Sequence, residues 1–290
     1  MALELGAILT AMVTPFDERG AIDEDAAVRL MHHLVENGSD GLVVCGTTGE
    51  AATLDDEEHL RVIELAVSEM RSHRPRCSVI AGVGSNDTRH AVRLTERASA
   101  IGPDALLSVN PYYNRPGRRG ILAHYREVAR ATDRPILLYN IPGRTGEDMP
   151  NELLAELAQL NHIAGVKQAN PANLAPVDGL ELYAGDDETL VRVLEMGGAG
   201  GILTGSHVFG PEMRRMVDEP ERRREIDATL QDTYRDMGIG PRACTVKAAL
   251  NLIGLPVGVP RLPYVPLDAD ETFVIRAMLE RHGLLQTARA

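Results

Sequence analysis

The chain has 290 residues, of which 44% are hydrophobic and 25% charged, a composition typical of one large globular domain or two small ones. This composition excludes a disordered or collagen-like chain, and no uncharged apolar run approaches the roughly 20 residues of a membrane-spanning helix. Thirty basic and 42 acidic side chains give a net charge of −12, which disfavours nucleic acid and anionic membranes as partners and favours small molecules.

The cysteines and the amino-terminal sequence indicate a cytoplasmic protein. Cys45, Cys77 and Cys244 have no zinc-binding spacing, and their odd number argues for reduced thiols. The first ten residues, MALELGAILT, lack the basic start and the cleavage site of a secretory signal. We therefore expect a cytoplasmic location and interpret all three cysteines as packed core residues.

Eight short apolar runs alternate with helical patterns along most of the chain. The predicted strands cover residues 7–14, 41–45, 77–82, 105–110, 135–140, 162–167, 180–185 and 200–205. After the first strand, Asp23 can cap the start of a helix, and Asn37 and Gly38 can end it with a left-handed turn. Nearly every strand residue is apolar, as in parallel strands that are buried on both faces. Eight strand-helix units therefore predict an α/β fold of the (β/α)8 TIM-barrel type.

An open, doubly wound sheet is the competing architecture, but it requires a glycine-rich phosphate loop after its first strand. Here Thr14-Pro15-Phe16 ends that strand, and neither GxGxxG nor GxxxxGK[ST] occurs in the chain. Beyond residue 220 the sequence has helical patterns only. We therefore predict a barrel domain over residues 1–224 and a C-terminal helical domain over residues 225–290.

Lysine is rare in this chain: of the 30 basic residues, 28 are arginines, and the two lysines are Lys167 and Lys247. A buried lysine can lose its proton and attack a carbonyl group, whereas arginine cannot. Lys167 ends the sixth predicted strand, so we expect it to point into the barrel with a lowered pKa. An ion pair with Asp186 or Asp187 at the next strand end is an equally open interpretation. We expect the amine of Lys247 to reach solvent from a helix.

The remaining candidate groups follow the strands, because TIM-barrel active sites lie at the C-terminal ends of the strands. Thr47 and Thr48 lie in a glycine-flanked turn whose N–H groups and hydroxyls suit a small carboxylate, although a capped turn would explain them too. Tyr139 suits proton transfer or a core hydrogen bond, and Arg144 suits a second carboxylate. The histidines show no metal-binding spacing, so we predict no metal site.

Five motifs in chain order carry a family resemblance: GTTGE, NPYYNRP, YNIPGRTG, GVK and AGDD. Together they resemble the dihydrodipicolinate synthase family, which belongs to the pyruvate-dependent class I aldolases that include N-acetylneuraminate lyase. The resemblance covers essentially the whole chain, from LGAILTAMVTPF to GVPRLPYVPL. It implies that Lys167 forms an imine with pyruvate, whose enamine attacks L-aspartate 4-semialdehyde. The product would be 4-hydroxy-tetrahydrodipicolinate, for lysine and diaminopimelate synthesis, and no metal or organic cofactor would be required.

The resemblance also implies a proton relay of three hydroxyl groups, those of Tyr139, Thr47 and Tyr113, beside the catalytic Lys167. In the family, the phenol that matches Tyr113 crosses a two-fold interface into the site of the neighbouring subunit. We therefore expect a homo-oligomer, which in this family is usually a tetramer made of two tight dimers.

Substrate contacts follow from the same resemblance. Thr47 and Thr48 match the site for the pyruvate carboxylate, and Arg144 matches the anchor for the semialdehyde carboxylate. The backbone carbonyls of Gly185 and Ile202 match the remaining contacts near the imine. The arginine favours condensation over cleavage of a 2-keto-3-deoxy sugar acid, because sugar-acid aldolases usually lack it. A catalytically silent barrel that senses pyruvate-like metabolites is the third alternative.

Some segments depart from the family pattern. Gln168-Ala169-Asn170 follows the lysine where many members have an acidic residue, and GILTGS replaces a commoner serine-valine continuation after the eighth strand. We expect the surroundings of the imine to differ at these two places.

A regulatory lysine site exists in some plant and Gram-negative members. The matching positions here are Ala51, Asp56, His59 and His90, with Asn86 and Tyr112 retained. Because the family's serine and glutamate are missing from this set, we expect weak or absent feedback inhibition by lysine.

Overall fold

Eight short apolar segments form a closed barrel of parallel strands in the computed structural model, which describes residues 3–285. The strands are β1 (Ile8–Ala11), β2 (Gly41–Val44), β3 (Ser78–Gly82), β4 (Ala105–Val109), β5 (Ile136–Asn140), β6 (Ile163–Gln168), β7 (Glu181–Ala184) and β8 (Gly200–Leu203). Each strand pairs with the next one along the chain, and β8 closes the barrel by pairing with β1. The predicted TIM barrel and all eight predicted strands are confirmed.

Helices follow most of the strands and surround the barrel. They are α1 (Glu24–Glu36), α2 (Asp56–His73), α3 (Thr88–Ile101), α4 (Gly117–Arg130), α5 (Pro142–Thr145), α6 (Asn151–Leu157), α7 (Leu190–Glu195) and α8 (Ser206–Asp218). The side chain of Asp23 accepts a hydrogen bond from the N–H of Ala26 at the start of α1, and Gly38 adopts a φ of 98° after its end. Both predicted ends of α1 are confirmed. Among residues 3–285, no helix is both long and apolar enough to cross a membrane.

Side chains alternate along the strands between two apolar layers. The barrel interior contains Leu9, Val43, Ile80, Leu107, Leu137, Tyr139, Tyr183 and Ile202. The layer between strands and helices contains their neighbours, among them Ile8, Leu42, Val79, Leu106, Leu138, Leu182 and Leu203. Lys167 is the register partner of Tyr139 on β5 and of Tyr183 on β7. Because these partners face the interior, Lys167 does so as well.

Three further helices follow the barrel: α9 (Arg223–Met237), α10 (Arg242–Leu252) and α11 (Ala269–Arg281). Helix α9 packs against α8, and α10 packs against both α8 and α9. The predicted helical character after residue 220 is confirmed. Helix α9 begins just before the predicted domain boundary at residue 224, and the division into two domains stays a prediction.

The prediction that Lys247 reaches solvent is wrong. Its side chain is buried on α10, and its Nζ lies 2.6 Å from Oε1 of Glu50. The helical pattern around Lys247 gives no sign of this contact, because the carboxylate comes from the loop after β2, far away in the sequence.

A close backbone contact between β3 and the loop after β2 gives a test of the fold. A Cβ atom on Gly82 would lie 2.1 Å from the carbonyl oxygen of Cys45. Because a backbone atom cannot yield as a flexible side chain does, we expect Gly82→Ala to lower the free energy of unfolding by about 1–3 kcal/mol in urea denaturation. Gly143→Ala is the matched control, since a Cβ there meets nothing within 4 Å. Equal stability of the two variants would contradict this close approach.

Candidate active site

A small cavity of about 50 Å³, open to solvent, adjoins Lys167 at the C-terminal end of the barrel. Among the predicted site residues, those that line it with Lys167 are Thr47, Thr48, Tyr139, Arg144 and Gly185. They come from the ends of four strands or from the loops that follow them. The cavity therefore occupies the end of the barrel at which TIM-barrel enzymes have their active sites.

Lys167 is buried in this cavity. Burial lowers the pKa of its ammonium group from 10.5 to about 8, although the charges of Asp186 and Asp187 act in the opposite direction. Arg144 lowers the pKa of Lys167 further. Among residues 3–285, the ion pairs formed by lysine are limited to that of Lys247, so Lys167 has no carboxylate within 4.0 Å. The alternative interpretation of Lys167 as a structural ion pair is therefore wrong, and a useful fraction of its amine is uncharged near neutral pH.

Tyr139 lies beside Lys167 on the neighbouring strand. The Nζ of Lys167 is 4.4 Å from the centroid of the Tyr139 ring. Burial raises the pKa of the phenol, and so does the charge of Asp186, whereas Arg144 and a hydrogen bond with Thr47 lower it. Because the net shift is upward, the phenol keeps its proton at neutral pH and can donate it to a group beside Lys167.

Thr47 and Thr48 lie in a tight turn after β2. The turn passes through two left-handed residues, Cys45 with a φ of 55° and Glu50 with a φ of 56°. The N–H of Glu50 donates to the carbonyl oxygen of Thr47 at 3.1 Å and closes the turn. Both threonines line the cavity, so their hydroxyl groups are available to a small polar ligand.

Cys45 adjoins this turn as a packed thiol. It is buried, and its Sγ donates a hydrogen bond to the carbonyl oxygen of His59 at 3.4 Å. Burial raises the pKa of the Cys45 thiol. A thiol with a raised pKa carries little thiolate, which is the reactive form, so Cys45 is not a nucleophile in this site.

Two aspartates after β7 have different surroundings. Asp187 accepts hydrogen bonds from the N–H groups of Thr204 and Gly205 and from Oγ1 of Thr204, at distances of 2.9 to 3.1 Å. It therefore joins the loop after β7 to the loop after β8. Burial raises the pKa of Asp186, while the charge of Lys167 lowers it. The charges of both aspartates act on Lys167, with that of Asp186 the larger.

Arg144 and Tyr113 lie at the edge of the site. Arg144 is exposed on the single turn of α5 and lines the cavity. Tyr113 does not line the cavity, and 89% of its surface is exposed. Its N–H donates to the carbonyl oxygen of Thr145 at 3.0 Å, so it adjoins the turn that carries Arg144. The side chain of Tyr113 is therefore exposed and does not contribute to the cavity of its own chain.

Ile202 is not among the residues that line the cavity. It lies on β8 with its side chain in the barrel interior, and Thr204, two positions further on, lines the cavity instead. The predicted substrate contact of the Ile202 carbonyl stays a prediction, as does that of Gly185.

Sequence reasoning missed several cavity residues, among them Thr204, Arg242 and Tyr264. Thr204 directly follows β8, so the strand-end argument applied to GILTGS could have found it. Arg242 begins α10, and Tyr264 lies between α10 and α11. No local pattern in the sequence indicates that the C-terminal segment returns to the mouth of the barrel.

One group of side chains in the described part of the chain could hold a metal ion: His32, Glu69 and His73. Oε1 of Glu69 lies 2.7 Å from Nε2 of His32 and 3.0 Å from Nδ1 of His73. These residues belong to α1 and α2 on the outside of the barrel, and none of them lines the cavity. Mutual hydrogen bonds account for the group without an ion.

The positions that match the regulatory lysine site contact one another through hydrogen bonds. Nε2 of His90 donates to Asp56 at 2.9 Å, and Nδ2 of Asn86 donates to the carbonyl oxygen of Tyr112 at 3.2 Å. His59 is buried and donates to the carbonyl oxygen of Gly82 at 2.7 Å. Weak feedback inhibition by lysine stays a prediction.

The sequence and the fold of this chain are similar to those of known proteins. The model of the Dihydrodipicolinate synthetase family matches residues 4–282. The chain is 39% identical over 283 residues to 4-hydroxy-tetrahydrodipicolinate synthase 1 of Halalkalibacterium halodurans, covering 93% of this chain and 94% of the relative. It is 38% identical to the enzyme of Cyanidioschyzon merolae solved with lysine bound, with a TM-score of 0.92 and coverage of 97% and 99%. For a dihydrodipicolinate synthase of Bacillus anthracis the identity is 34%, the TM-score 0.91 and the coverage 97% and 99%.

The reactivities of the two lysines test the lowered pKa of Lys167. We expect the acetylation rate of Lys167, followed by peptide mass spectrometry against pH, to rise with a midpoint at a pH of about 8. Asp186→Asn should lower this midpoint, because the aspartate charge favours the ammonium form. Lys247 in the same digest is the internal control, since its ammonium group is bound to Glu50 and should stay unreactive. A midpoint near 10.5, or one that Asp186→Asn leaves unchanged, would contradict the lowered pKa.

Proposed function

Because the chain belongs to the dihydrodipicolinate synthetase family, we propose that it condenses pyruvate with L-aspartate 4-semialdehyde through an imine on Lys167. The product is 4-hydroxy-tetrahydrodipicolinate, and the enzyme is a lyase-type synthase of lysine and diaminopimelate biosynthesis. The observation that carries the proposal is the buried Lys167 amine, which has a lowered pKa and lies beside the Tyr139 phenol. Relatives named as synthases favour this function over the cleavage of a sugar acid.

The first step is imine formation. The uncharged amine of Lys167 attacks the keto carbon of pyruvate, and one amine proton passes to the carbonyl oxygen to give a carbinolamine. A second proton, from an acid, lets the hydroxyl group leave as water, and a protonated imine remains. Tyr139 is the proton donor, because its phenol is protonated and its ring lies 4.4 Å from Nζ of Lys167. The hydroxyl and N–H groups of the Thr47–Thr48 turn bind the pyruvate carboxylate during this step.

The second step forms a carbon–carbon bond. Loss of a proton from the methyl group of the imine gives an enamine, whose carbon attacks the aldehyde carbon of the semialdehyde. The aldehyde oxygen becomes a hydroxyl group by taking up a proton. The amino group of the semialdehyde then attacks the imine carbon, which closes the ring and frees Lys167. Arg144 binds the carboxylate of this second substrate, since its guanidinium lies exposed at the cavity mouth and matches a carboxylate with two donors.

The reaction as proposed needs no metal ion and no organic cofactor. The protonated imine nitrogen of Lys167 withdraws electrons from the neighbouring methyl group. Without the imine, a metal or a cofactor would have to supply this electron withdrawal. Hydroxyl groups move the protons, so the site needs no further charged acid beside the lysine.

Tyr113 completes the relay in a second copy of the chain. The side chain of Tyr113 is exposed and does not line the cavity of its own chain, and both observations support this proposal. The active unit is then a dimer in which each subunit contributes its Tyr113 phenol to the active site of the other. The full assembly is a tetramer of two such dimers. Such an arrangement makes association part of catalysis.

The cytoplasm is the proposed location of the enzyme. Cys45, Cys77 and Cys244 are free and buried in the structure. Unpaired thiols are typical of proteins that work in a reducing compartment.

Steady-state turnover tests the proposed function. Wild-type protein should condense pyruvate with aspartate semialdehyde, and Lys167→Ala should lower kcat by at least about 10³-fold, because the second lysine, Lys247, does not line the cavity and cannot take its place. The cleavage of a 2-keto-3-deoxy sugar acid is assayed in parallel. Faster cleavage than condensation would contradict the proposal, and so would an unchanged pyruvate response in Lys167→Ala, which indicates a sensor.

Mixed oligomers test the shared phenol. Tyr113→Phe and Lys167→Ala should each be nearly inactive alone, and mixing them under conditions that exchange subunits should restore turnover. In a mixed dimer, one site combines an intact Lys167 with an intact Tyr113 from the other subunit. A mixture of Tyr139→Phe with Lys167→Ala is the control, and it should stay inactive if Tyr139 acts within its own chain. A first mixture that stays inactive after subunit exchange would contradict the shared phenol.

A further inference from the structure

Glu50 and Lys247 form a fully buried ion pair behind the cavity. Oε1 of Glu50 lies 2.6 Å from Nζ of Lys247, and the two side chains are 0% and 1% exposed. Neither residue lines the cavity. Removing two charges from water carries a large desolvation cost, and a pair of this kind is weak evidence for stability alone. The pair is therefore better explained by the segments that it holds in place than by a gain in stability.

On one side, the pair is fixed to the turn that carries Thr47 and Thr48. Glu50 closes this turn through its N–H, and its carbonyl oxygen accepts hydrogen bonds from the N–H and Oγ1 of Thr53 at 2.9 and 3.0 Å. The residue is held in a left-handed conformation between these bonds. A movement of the Glu50 carboxylate would therefore move the Thr47–Thr48 turn.

On the other side, the pair is fixed to the C-terminal segment. Oε2 of Glu50 accepts a hydrogen bond from the N–H of Arg261 at 2.9 Å, and Nζ of Lys247 donates to the carbonyl oxygen of Val259 at 3.3 Å. The Lys247 Nζ lies 4.1 Å from the centroid of the Phe16 ring, and the Arg261 guanidinium lies 4.2 Å from the same centroid. One carboxylate thus binds both α10 and the chain that follows it.

This C-terminal segment supplies part of the cavity wall. Arg242 and Ala243 are the first residues of α10, and Tyr264 follows Arg261 by three positions; all three line the cavity. Thr47 and Thr48 line the same cavity from the loop after β2. The ion pair is therefore a buried connection between two walls that are about 200 residues apart in the sequence.

We propose that the Lys247–Glu50 pair is a positioning element of the pyruvate site. It holds the Thr47–Thr48 turn and the C-terminal wall at a fixed distance, so its loss weakens pyruvate binding while the chemistry at Lys167 stays in place. This inference rests on the proposed function, because it assumes that pyruvate binds beside Lys167. The two lysines have different surroundings: Lys247 is bound to the carboxylate of Glu50, whereas no carboxylate of residues 3–285 lies within 4.0 Å of Lys167.

The test measures imine formation with pyruvate alone, by borohydride reduction and intact-mass spectrometry over a range of pyruvate concentrations. In Lys247→Met, which keeps an unbranched side chain one atom shorter and removes the charge, we expect the half-maximal pyruvate concentration to rise about 10- to 100-fold. The yield at saturation should match that of the wild type. Glu50→Gln keeps the acceptor for Arg261 and should give a smaller rise; it carries the test if Lys247→Met fails to fold.

The double variant Lys247→Met with Glu50→Gln separates positioning from general damage. It has no unpaired buried charge but still lacks the ion pair, so its half-maximal concentration should stay above the wild-type value. A return to the wild-type value would assign the effect of Lys247→Met to an unpaired charge and would overturn the positioning role. Leu157→Ala is the matched control, because it removes a buried contact on α6, which does not line the cavity. Its melting temperature should fall while its half-maximal pyruvate concentration stays unchanged.

Two further outcomes would contradict the positioning role, and only one of them also contradicts the proposed function. If wild-type protein forms the adduct and the Lys247 and Glu50 variants keep its half-maximal concentration, the positioning role is wrong and the proposed function stands. If wild-type protein forms no adduct with pyruvate, the proposed function itself is wrong, and the positioning role fails with it.

Discussion

The desolvation of one amine is the constraint on which the site depends. Lys167 lies inside the barrel with no bonded carboxylate, so its charged form loses hydration without gaining a partner. Asp186 and Asp187 are near enough to act on its charge, yet Asp187 is occupied by Thr204 and Gly205. The balance leaves a pKa of about 8, at which a fraction of the amine is uncharged and nucleophilic at neutral pH. Lys247 differs, because its Nζ lies 2.6 Å from Oε1 of Glu50; burial lowers its pKa, and Glu50 acts in the opposite direction.

Closure of the barrel brings the other groups of the site close to the buried amine of Lys167. Parallel register places Tyr139 directly beside Lys167, and both point inward because they are Cα partners on adjacent strands. The loops after β2 and β5 then bring two threonines and an arginine to the same mouth. The barrel interior supplies the low dielectric, and the strand ends supply the polar groups. The C-terminal helices complete the wall, which explains why the barrel alone does not define the cavity.

The sequence predicted the parts of this arrangement that depend on local pattern. Apolar runs of the right length located all eight strands, and the strand-end argument led to Lys167, Thr47, Tyr139 and Arg144. Prediction from the sequence failed where contacts join segments that are far apart in the chain. The surroundings of Lys247 are set by a carboxylate about 200 residues away, and Tyr264 reaches the cavity through a loop with no periodic pattern. The proposed role of the Tyr113 phenol is harder still to predict, because it would depend on a second copy of the chain.

Peptide mapping after borohydride reduction in the presence of pyruvate tests the central claim most directly. The account predicts one reduced pyruvoyl adduct per chain, on Lys167, formed at neutral pH, while Lys247 remains unmodified. The chain has only these two lysines, so the assignment is unambiguous. Folded protein that forms no adduct, or forms it on Lys247, would contradict the claim that an unpaired, desolvated amine at the end of β6 is the reactive group.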